Sequence, residues 1–309
     1  MQTSGLGELE GVAAVARLRS FRAAATELGV STSALSHAIA ALEARIGVRL
    51  FHRTTRSVSL TEAGAQFVAG IAPALSAIRG AMEQAGSHRD TPSGTLRINT
   101  SSGAARQAMP LFLAFLRRYP EMRLDIVTEG RLIDIVVAGF DAGIRLAESV
   151  PLDMVAVPLG RPQRFAVVGS PAYFAANPPP RAPADLLAHR CIRTRLPSGT
   201  LYRWEFSRHG EALSVDVQGE LTLDDPYLML DAARDGMGLT YLTEWSVEAD
   251  LAAGTLVRVL EDWTPPFDGL SLYYPGRRHV PAGLRALIEM IREDAQPAPR
   301  RPGKARGKR

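Results

Sequence analysis

Hydrophobic residues recur at helical spacing in two short segments near the N-terminus. The second segment carries one apolar stripe, formed by Leu35, Ala38, Ile39, Leu42 and Ile46. Ser31 or Ser33 can cap its start, and Gly47 can end it in the left-handed conformation. The first segment, Ser20 to Leu28, has a compact inner face and ends before Gly29. Two helices joined by a short turn with glycine form the helix-turn-helix pattern, whose second helix enters the major groove of DNA.

The opposite face of the second predicted helix is short and almost uncharged. A solvated helix of this length usually carries several charges, but this face consists of Ser33, Ser36, His37 and Ala40. Such a face can lie deep in a groove and offer hydrogen-bond donors and acceptors to base edges. These positions are therefore candidates for base contacts.

A short polar hairpin is predicted over residues 50–60. Apolar positions alternate with hydroxyls and arginines, which is the pattern of a two-stranded wing with its turn near 54–56. Arg53 and Arg56 at its tip are candidates for contacts with phosphate or the minor groove. The alternative is a solvated turn, and the neighbouring helix pair favours the DNA interpretation.

A long helix is predicted from Thr61 onward. Its apolar positions follow one another in steps of four and three residues: Gly64, Val68, Ile71, Leu75, Ile78 and Met82. A seven-residue period is typical of helices that pair, so residues 64–88 are interpreted as a linker and dimerisation helix. The alternative is that the stripe packs on its own domain. Pro73 removes one backbone hydrogen bond, which predicts a bend.

Beyond a linker-like stretch at 86–94, the pattern changes to alternating strands and helices. This alternation predicts a mainly parallel α/β sheet, in which Leu132–Ala138 is one of the helices. A second run of the same kind begins near Arg164. Two α/β lobes with a cleft between them are the most economical arrangement. Ligands in such sheets bind beyond the carboxyl ends of strands and near helix N-termini.

Three segments bring hydroxyls or a helix start to a strand end and are placed to line such a cleft. Their candidate effector-binding residues are Thr100, Ser101, Ser102, Thr128, Asp225 and Tyr227. Hydroxyls and N–H groups at a helix start suit an anionic or polar group, and capping alone is the equal alternative for Ser101 and Ser102. Arg193, Ser198 and Tyr202 are further candidates from the second lobe, where an ordinary surface is the alternative.

Composition narrows the class of protein. The chain has 309 residues and one cysteine, Cys191, so no intrachain disulfide can form and a cytoplasmic location is expected. No apolar run is long enough to span a membrane, and the N-terminus lacks the pattern of a secretion signal. The histidines and carboxylates show neither metal-ligand spacing nor a catalytic set. We therefore expect no enzyme activity, no cofactor, no bound metal and no membrane partner.

The net charge of +4 is distributed unevenly along the chain. Residues 1–64 carry seven arginines and five glutamates, whereas residues 65–294 carry 23 basic and 27 acidic residues. Residues 295–309 hold six cations and no acid, and their composition predicts a disordered tail. The tail either adds salt-sensitive attraction to DNA or is a drifted extension. DNA attraction within the folded part rests on the wing and the helix starts.

The helix pair and wing match a known pattern. The sequence reads S-F-x-x-A-A-x-x-L-x-V-S-x-S-A-L-S-x-x-I-x-x-L-E-x-x-I-G-V-x-L-F-x-R, followed by L-T-E-A-G. This run, Leu9 to Gly64, resembles the N-terminal domain of LysR-type transcriptional regulators. The runs SPAYF at Ser170, DGMGLTYL at Asp235 and YYPGRRHVPAGLRALI at Tyr273 resemble the effector domain of the same family.

The resemblance implies an α+β multidomain fold. It places a winged helix-turn-helix at residues 6–63, a linker helix at 64–88 and a two-lobed α/β effector domain, similar to periplasmic binding proteins, at 94–294. Lobe I then comprises 94–161 and 267–294, and lobe II comprises 162–266. It also implies a sequence-specific regulator that binds double-stranded promoter or operator DNA. Such a regulator is a homodimer or a homotetramer, and a small-molecule co-inducer bound between the lobes modulates it.

The resemblance also assigns DNA contacts to the recognition helix and wing. With Ser31 at the helix start, the candidate DNA-binding residues of the helix-turn-helix (Ser20 to Ile39) and the wing are Ser31, Thr32, Ser33, Ser36, His37, Arg53 and Arg56. Family effectors often contact the places held here by Ser101, Ser102 and Thr128, in agreement with the strand-end argument.

Overall fold

The computed structural model of the chain describes residues 5–54, 57–86, 92–276 and 280–295. Over these residues it contains nine α-helices and fourteen strands, arranged as an N-terminal helical part, one long helix and two α/β lobes. The α-helices are α1 (Gly5–Leu18), α2 (Phe21–Glu27), α3 (Thr32–Ile46), α4 (Glu62–Gly86), α5 (Ser102–Arg118), α6 (Pro171–Ala176), α7 (Pro226–Arg234), α8 (Glu244–Ala253) and α9 (Ala282–Ala295). The strands are β1 (Phe51–Arg53), β2 (Val58–Leu60), β3 (Gly94–Thr100), β4 (Met122–Thr128), β5 (Ala142–Leu146), β6 (Met154–Leu159), β7 (Phe165–Gly169), β8 (Arg193–Thr194), β9 (Trp204–Arg208), β10 (Glu211–Val215), β11 (Thr222–Leu223), β12 (Thr240–Thr243), β13 (Val257–Val259) and β14 (Leu270–Pro275).

The N-terminal part has a hydrophobic core of its own. Helices α1, α2 and α3 pack together, and the hairpin β1–β2 and the start of α4 close the same core. Its buried residues include Val12, Val15, Ala24, Leu35, Ile39, Leu42 and Phe51. The predicted helix-turn-helix and the predicted wing are thereby confirmed.

The predicted caps set the bounds of α2 and α3. Ser20 Oγ accepts a first-turn N–H at 3.2 Å and starts α2. Ser31, and not Ser33, starts α3, because Ser31 Oγ accepts the Ala34 N–H at 3.1 Å. Gly47 ends α3 with a φ of 73°, in the left-handed region that suits glycine.

Helix α4 is packed along its first half by its own chain. It continues as one helix through Pro73. Val68 and Leu75 are 4% and 3% exposed, whereas Ile78 is 40% exposed. Packing on its own domain therefore describes the first half of the predicted stripe, and Ile78 remains exposed beyond it. The side chain of Met82 lies outside the described part of the chain.

Gly64 allows α4 to approach the wing closely. Thr61 starts α4, and its Oγ1 accepts the Gly64 N–H at 2.9 Å. A Cβ at Gly64 would lie 2.0 Å from the carbonyl oxygen of Leu50, closer than any non-bonded contact. Glycine therefore stands at this position of the predicted heptad because α4 packs closely against the wing, and it does not contribute an apolar side chain to the stripe.

A mixed five-stranded sheet forms lobe I, in the order β4-β3-β5-β14-β6. Strand β3 runs parallel to β4 and β5, whereas β14 runs antiparallel to β5 and β6. Helices α5 and α9 cover one face and bury Phe112, Phe115 and Leu287. The prediction of a mainly parallel sheet is wrong for two of the four strand pairs. The physical reason is the connectivity, because the chain returns from lobe II through β14, whereas β3 and β5 end toward that lobe.

Lobe II is organised around β7, which pairs antiparallel with both β12 and β13. Strands β8 and β11 form a short parallel pair, and β9 and β10 form a hairpin. Its core includes the fully buried Trp204. The parallel prediction is therefore wrong here too. Strand β6 and helix α6, which Ser170 caps, are elements that the sequence pattern does not predict.

The predicted helix at Leu132–Ala138 is wrong, since residues 132–134 are irregular and residues 135–138 form a turn. The Asp134 carboxylate accepts the N–H groups of Val136 and Val137 at 2.9 and 3.0 Å. These are the bonds of an N-cap, so the turn begins only after Asp134, and the Ala138 N–H donates to the Asp134 carbonyl at 3.0 Å. Gly139, with a φ of 74°, then ends the single turn.

The chain passes between the lobes at two connections that lie side by side. One leaves lobe I after β6, and the other returns to β14. Gln163 and Phe267 join them through two backbone hydrogen bonds of 2.9 and 2.8 Å. These bonds hold the two connections together at the junction of the lobes.

Candidate DNA interface and inter-lobe cleft

Helix α3 presents the face that the sequence predicts for base contacts. Thr32, Ser33 and His37 are exposed, and Ser36 is half-buried. Ser31 is also exposed. Besides capping the helix, its Oγ lies 3.1 Å from the Oγ of Ser33, within hydrogen-bond distance. Short polar side chains therefore cover the outer face of a helix whose other face is anchored in the core.

Arg53 lies at the end of β1, beside this face. Its Nη1 donates to Ser36 Oγ at 3.1 Å, and its Nη2 donates to Glu43 Oε2 at 3.1 Å. Glu43 is missing from the predicted set, although an acid next to the buried Leu42 is a sequence signal that could identify it. Arg56 lies outside the described residues.

The strand-end residues of lobe I come together at the cleft. Thr100 and Thr128 are partners in the parallel register of β3 and β4. Thr100 is buried, whereas Thr128 is exposed. Ser101 caps α5 by accepting the Ala104 N–H at 3.3 Å, so the capping alternative is present at this residue.

Ser102 and Asp225 link the two lobes. Ser102 Oγ donates to Asp225 Oδ2 at 3.5 Å. Asp225 Oδ1 accepts the N–H groups of Tyr227 and Leu228 at 2.8 and 3.2 Å and caps α7. The N-termini of α5 and α7 thus meet across the cleft with a carboxylate between them. Helix N-termini favour negative charge, and Asp225 supplies part of it.

Two further side chains of α5 extend this contact. The Arg106 guanidinium lies 4.1 Å from the ring centre of Tyr227. Gln163 Nε2 donates to Gln107 Oε1 at 2.9 Å. Burial raises the pKa of the Tyr227 hydroxyl. Arg106 and Gln107 are absent from the predicted set, and their position about one turn beyond Ser102 is the signal that could have found them.

The second-lobe candidates make contacts mainly within lobe II. Tyr202 donates to Glu205 Oε2 at 3.2 Å, and burial raises its pKa well above the usual value. Arg193 pairs with Asp216 at 3.2 Å. Ser198 is exposed in the loop before β9. No hydrogen bond or ion pair among the described residues joins Arg193 to the other predicted effector residues.

The loop after β4 makes another close approach between the lobes. A Cβ at Gly130 would lie 2.8 Å from Cγ of Pro197 in lobe II. Arg145, which is 7% exposed, stabilises this loop through hydrogen bonds. Its Nη2 donates to the carbonyl groups of Glu129 and Arg131 at 3.0 and 3.1 Å. Arg145 is also missing from the predicted set, and the signal for it is an arginine within the apolar strand β5.

In the described part of the chain, neither the potential metal ligands nor the cysteine thiol forms a reactive site. No group of three His, Cys, Asp or Glu side chains there could hold a metal ion. Burial raises the pKa of the Cys191 thiol to about 12, so the thiol is protonated at neutral pH. None of the described helices combines the length and the hydrophobicity that crossing a bilayer requires.

Two family profiles match the chain. The profile of the bacterial regulatory helix-turn-helix proteins of the lysR family matches residues 6–65. The profile of the LysR substrate binding domain matches residues 89–296. The two matches cover the helix-turn-helix and wing on one side and both lobes on the other.

Individual relatives span nearly the whole chain. The chain is 44% identical over 280 residues to YcaN of Escherichia coli (strain K12), an uncharacterized HTH-type transcriptional regulator, covering 90% of this chain and 92% of YcaN. It is 38% identical over 294 residues to the HTH-type transcriptional regulator PgrR of the same organism, covering 94% and 98%. The solved structure of CrgA, a LysR-type transcriptional regulator from Neisseria meningitidis, superimposes with a TM-score of 0.58 at 27% identity, covering 94% of this chain and 99% of CrgA.

Proposed function

The chain belongs to the LysR family of transcriptional regulators, and from this premise we propose that α3 and the wing read an operator while the inter-lobe cleft binds a small co-inducer. The family combines a DNA-binding helix-turn-helix with a substrate-binding domain, and this chain has both. The proposal concerns which residues perform the two tasks.

The exposed face of α3 is the observation that carries the DNA-reading part of the proposal. Ser33, Ser36 and His37 offer hydroxyl and imidazole groups without bulk, so the helix can lie deep in the major groove. Ser31 and Thr32 stand at the helix start, where N–H groups suit phosphate. The wing beside them supplies Arg53 and Arg56 for the DNA backbone or the minor groove.

The cleft part of the proposal rests on the meeting of α5 and α7. We assign the effector to the space bounded by Thr100, Ser101, Ser102 and Thr128 of lobe I and by Asp225 and Tyr227 of lobe II. Two helix N-termini with nearby hydroxyls suit a polar ligand with an anionic group. Arg193, Ser198 and Tyr202 remain the second-lobe candidates for this ligand.

The remaining parts of the proposal follow from DNA reading. Two copies give two half-sites, so we assign a homodimer or a homotetramer, in which the exposed Ile78 of α4 is available for pairing. The proposed domain limits are those predicted from the sequence, 6–63, 64–88 and 94–294, with a basic tail at 295–309, of which residues 296–309 lie outside the described residues. A regulator acts where the bacterial chromosome is, so the assigned place is the cytoplasm, and the assigned role is regulatory and not enzymatic.

In vitro selection from random double-stranded DNA tests the proposal without knowledge of the operator. The full-length protein should enrich one motif, and footprinting should place that motif in a protected region. His37→Ala and Ser33→Ala should weaken the preference at individual base positions. The matched control is Ser207→Ala in lobe II, which should leave the motif unchanged. Enrichment of no motif by the wild-type protein would contradict the proposed function.

A further inference from the structure

The Glu43 carboxylate joins the start of the wing to the recognition helix through hydrogen bonds. Its Oε1 accepts the backbone N–H groups of Leu50 and Phe51 at 2.8 and 3.2 Å. The side chain is 13% exposed, so these charge-assisted bonds lie largely out of water. One side chain of α3 thereby determines where the hairpin starts relative to the helix.

The other carboxylate oxygen of Glu43 holds Arg53. Arg53 Nη2 donates to Glu43 Oε2 at 3.1 Å, and its Cζ lies 4.5 Å from the ring centre of Phe21 in α2. The guanidinium is thus placed by an acid on one side and by an aromatic face on another. Three elements, α2, α3 and β1, meet at this one planar group.

The second contact of Arg53 reaches the predicted DNA face. Its Nη1 donates to Ser36 Oγ at 3.1 Å. A guanidinium has no acceptor, so the Ser36 oxygen must be the acceptor of this bond. The hydroxyl proton of Ser36 therefore points away from Arg53. The interactions of the described residues include no backbone carbonyl that takes this proton.

We infer that Glu43 and Arg53 are positioning residues for base readout, which pin the wing to α3 and present the Ser36 hydroxyl as a hydrogen-bond donor. The inference rests on the proposed function of α3. A donor in the major groove pairs with guanine N7 or O6, adenine N7 or thymine O4, and it does not pair with the amino group of cytosine. Ser36 should therefore read a base that offers an acceptor.

An ordinary surface ion pair is the competing explanation, and the geometry separates the two. Exposed pairs contribute little to stability, and Arg53 is 33% exposed. A purely structural pair would change binding to all sequences alike. A positioning pair would change discrimination at the one base position that Ser36 reads.

The test is in vitro DNA selection with full-length Glu43→Gln, Arg53→Lys and Ser36→Ala proteins, followed by affinity measurements on the wild-type motif and its single-base variants. In each variant the ratio of affinities for the preferred base and the other bases should fall about tenfold at the same position, because one hydrogen bond to a base edge is lost or misdirected. The Glu43→Gln/Ser36→Ala double variant should lose no more than Ser36→Ala alone. For Glu43→Gln and Ser36→Ala, affinity for random DNA should change less than this discrimination.

Glu27→Gln and Arg17→Lys are the matched controls, since Arg17 and Glu27 form an ion pair in the same domain away from Ser36. Both should keep the wild-type motif. If Glu43→Gln unfolds, as seen by circular dichroism, Arg53→Lys carries the test because it keeps the charge. A motif that survives intact in the folded variants would overturn this inference alone, whereas a wild-type protein that selects no motif would overturn the proposed function and the inference with it.

Discussion

Two arginines, Arg53 in the N-terminal domain and Arg145 in lobe I, each hold together segments that are distant in the sequence. Arg53 is 33% exposed and faces a carboxylate, Glu43. Arg145 is 7% exposed, and its hydrogen-bond acceptors are neutral. Asn99 Oδ1 accepts from it at 2.6 Å, three backbone carbonyl groups accept further bonds, and its buried Nε has no partner among the described residues.

Arginine therefore has two different roles in this protein: Arg145 stabilises the fold, and Arg53 positions other groups. Burial lowers the pKa of Arg145, which records the cost of keeping a cation out of water. Its hydrogen bonds must offset that cost, so loss of the side chain leaves the buried Asn99 Oδ1 and the part-buried carbonyl groups of Glu129 and Arg131 without this donor. Arg53 keeps access to water, so its contacts orient a hydroxyl and a hairpin with little effect on the free energy of unfolding.

The largest expected effect is that of Arg145→Met. It should lower the free energy of unfolding by about 3 kcal/mol, because Asn99 Oδ1 and the carbonyl groups of Glu129 and Arg131 lose their donor. Urea unfolding of the full-length protein, followed by far-UV circular dichroism, measures the loss. A loss below about 1 kcal/mol would make the two arginines energetically alike and would end the comparison.

Gly143→Ala should be the next most damaging change, because it crowds the strand that carries Arg145. A Cβ at Gly143 would lie 2.4 Å from Cζ of Tyr273, whose ring is fully packed. We expect a loss of about 2 kcal/mol from this overpacking. Gly143→Ala combined with Tyr273→Leu should recover part of the loss in the same urea experiment. Equal losses for the single and double variants would show that the ring is not the cause.

A third arginine contact, Arg234 with Asp250 in lobe II, should give the protein a measurable acid dependence. Arg234 Nε and Nη2 each donate to the carboxylate at 2.7 Å, and Thr255 Oγ1 donates at 2.7 Å. The hydrogen bond from Arg234 is the largest cause that lowers the Asp250 pKa. The stabilisation is therefore complete above the ordinary aspartate pKa and is lost as the pH falls through the lowered one.

Asp250→Asn should cost about 1.5 kcal/mol at pH 7 and progressively less below about pH 4, where the wild type loses the same contact. Unfolding midpoints of both proteins between pH 7 and pH 3 check this. Parallel curves for the two proteins would contradict the assignment. In this contact the carboxylate is buried, with the Asp250 side chain 8% exposed, whereas the Arg234 side chain is 43% exposed, so it shows what a buried carboxylate gains from a hydrated arginine.

The smallest expected effect is that of Arg53→Met on stability, below about 1 kcal/mol. The carboxylate of Glu43 keeps its bonds to Leu50 and Phe51, so it is not left unpaired. The urea experiment used for Arg145→Met measures it. A loss as large as that of Arg145→Met would mean that Arg53 supports the fold itself and not the geometry of the wing.

Much of the N-terminal domain could be predicted from its residues. Caps act within one turn, so Ser20, Ser31 and Gly47 set helix ends from local chemistry. The apolar stripe of α3 identifies its buried face by period alone. The same reasoning is wrong at Leu132–Ala138, because Asp134 caps the N–H groups of Val136 and Val137 and Gly139 ends the turn before a helix can extend.

The candidate cleft could be predicted only in part. Thr100, Ser101, Ser102 and Thr128 lie at strand ends, where the sequence predicts them. The partners of that edge cannot be identified from pattern, because Ser102 meets Asp225 across 123 residues of chain. The hydrogen bonds from Arg145 to the loop after β4 cannot be predicted from the sequence pattern either, because they also join residues that are distant in the sequence.

The sequence by itself determined the helix-turn-helix, the wing, the two-lobed alternation and the family, since these depend on spacing and on side chains within a few residues of one another. The tertiary structure alone decided the direction of β14, the burial of Arg145 and the commitment of Arg53 to Ser36 and Glu43. Each of these depends on how distant segments pack. That packing settles which charges stay in water, and no local period carries that information.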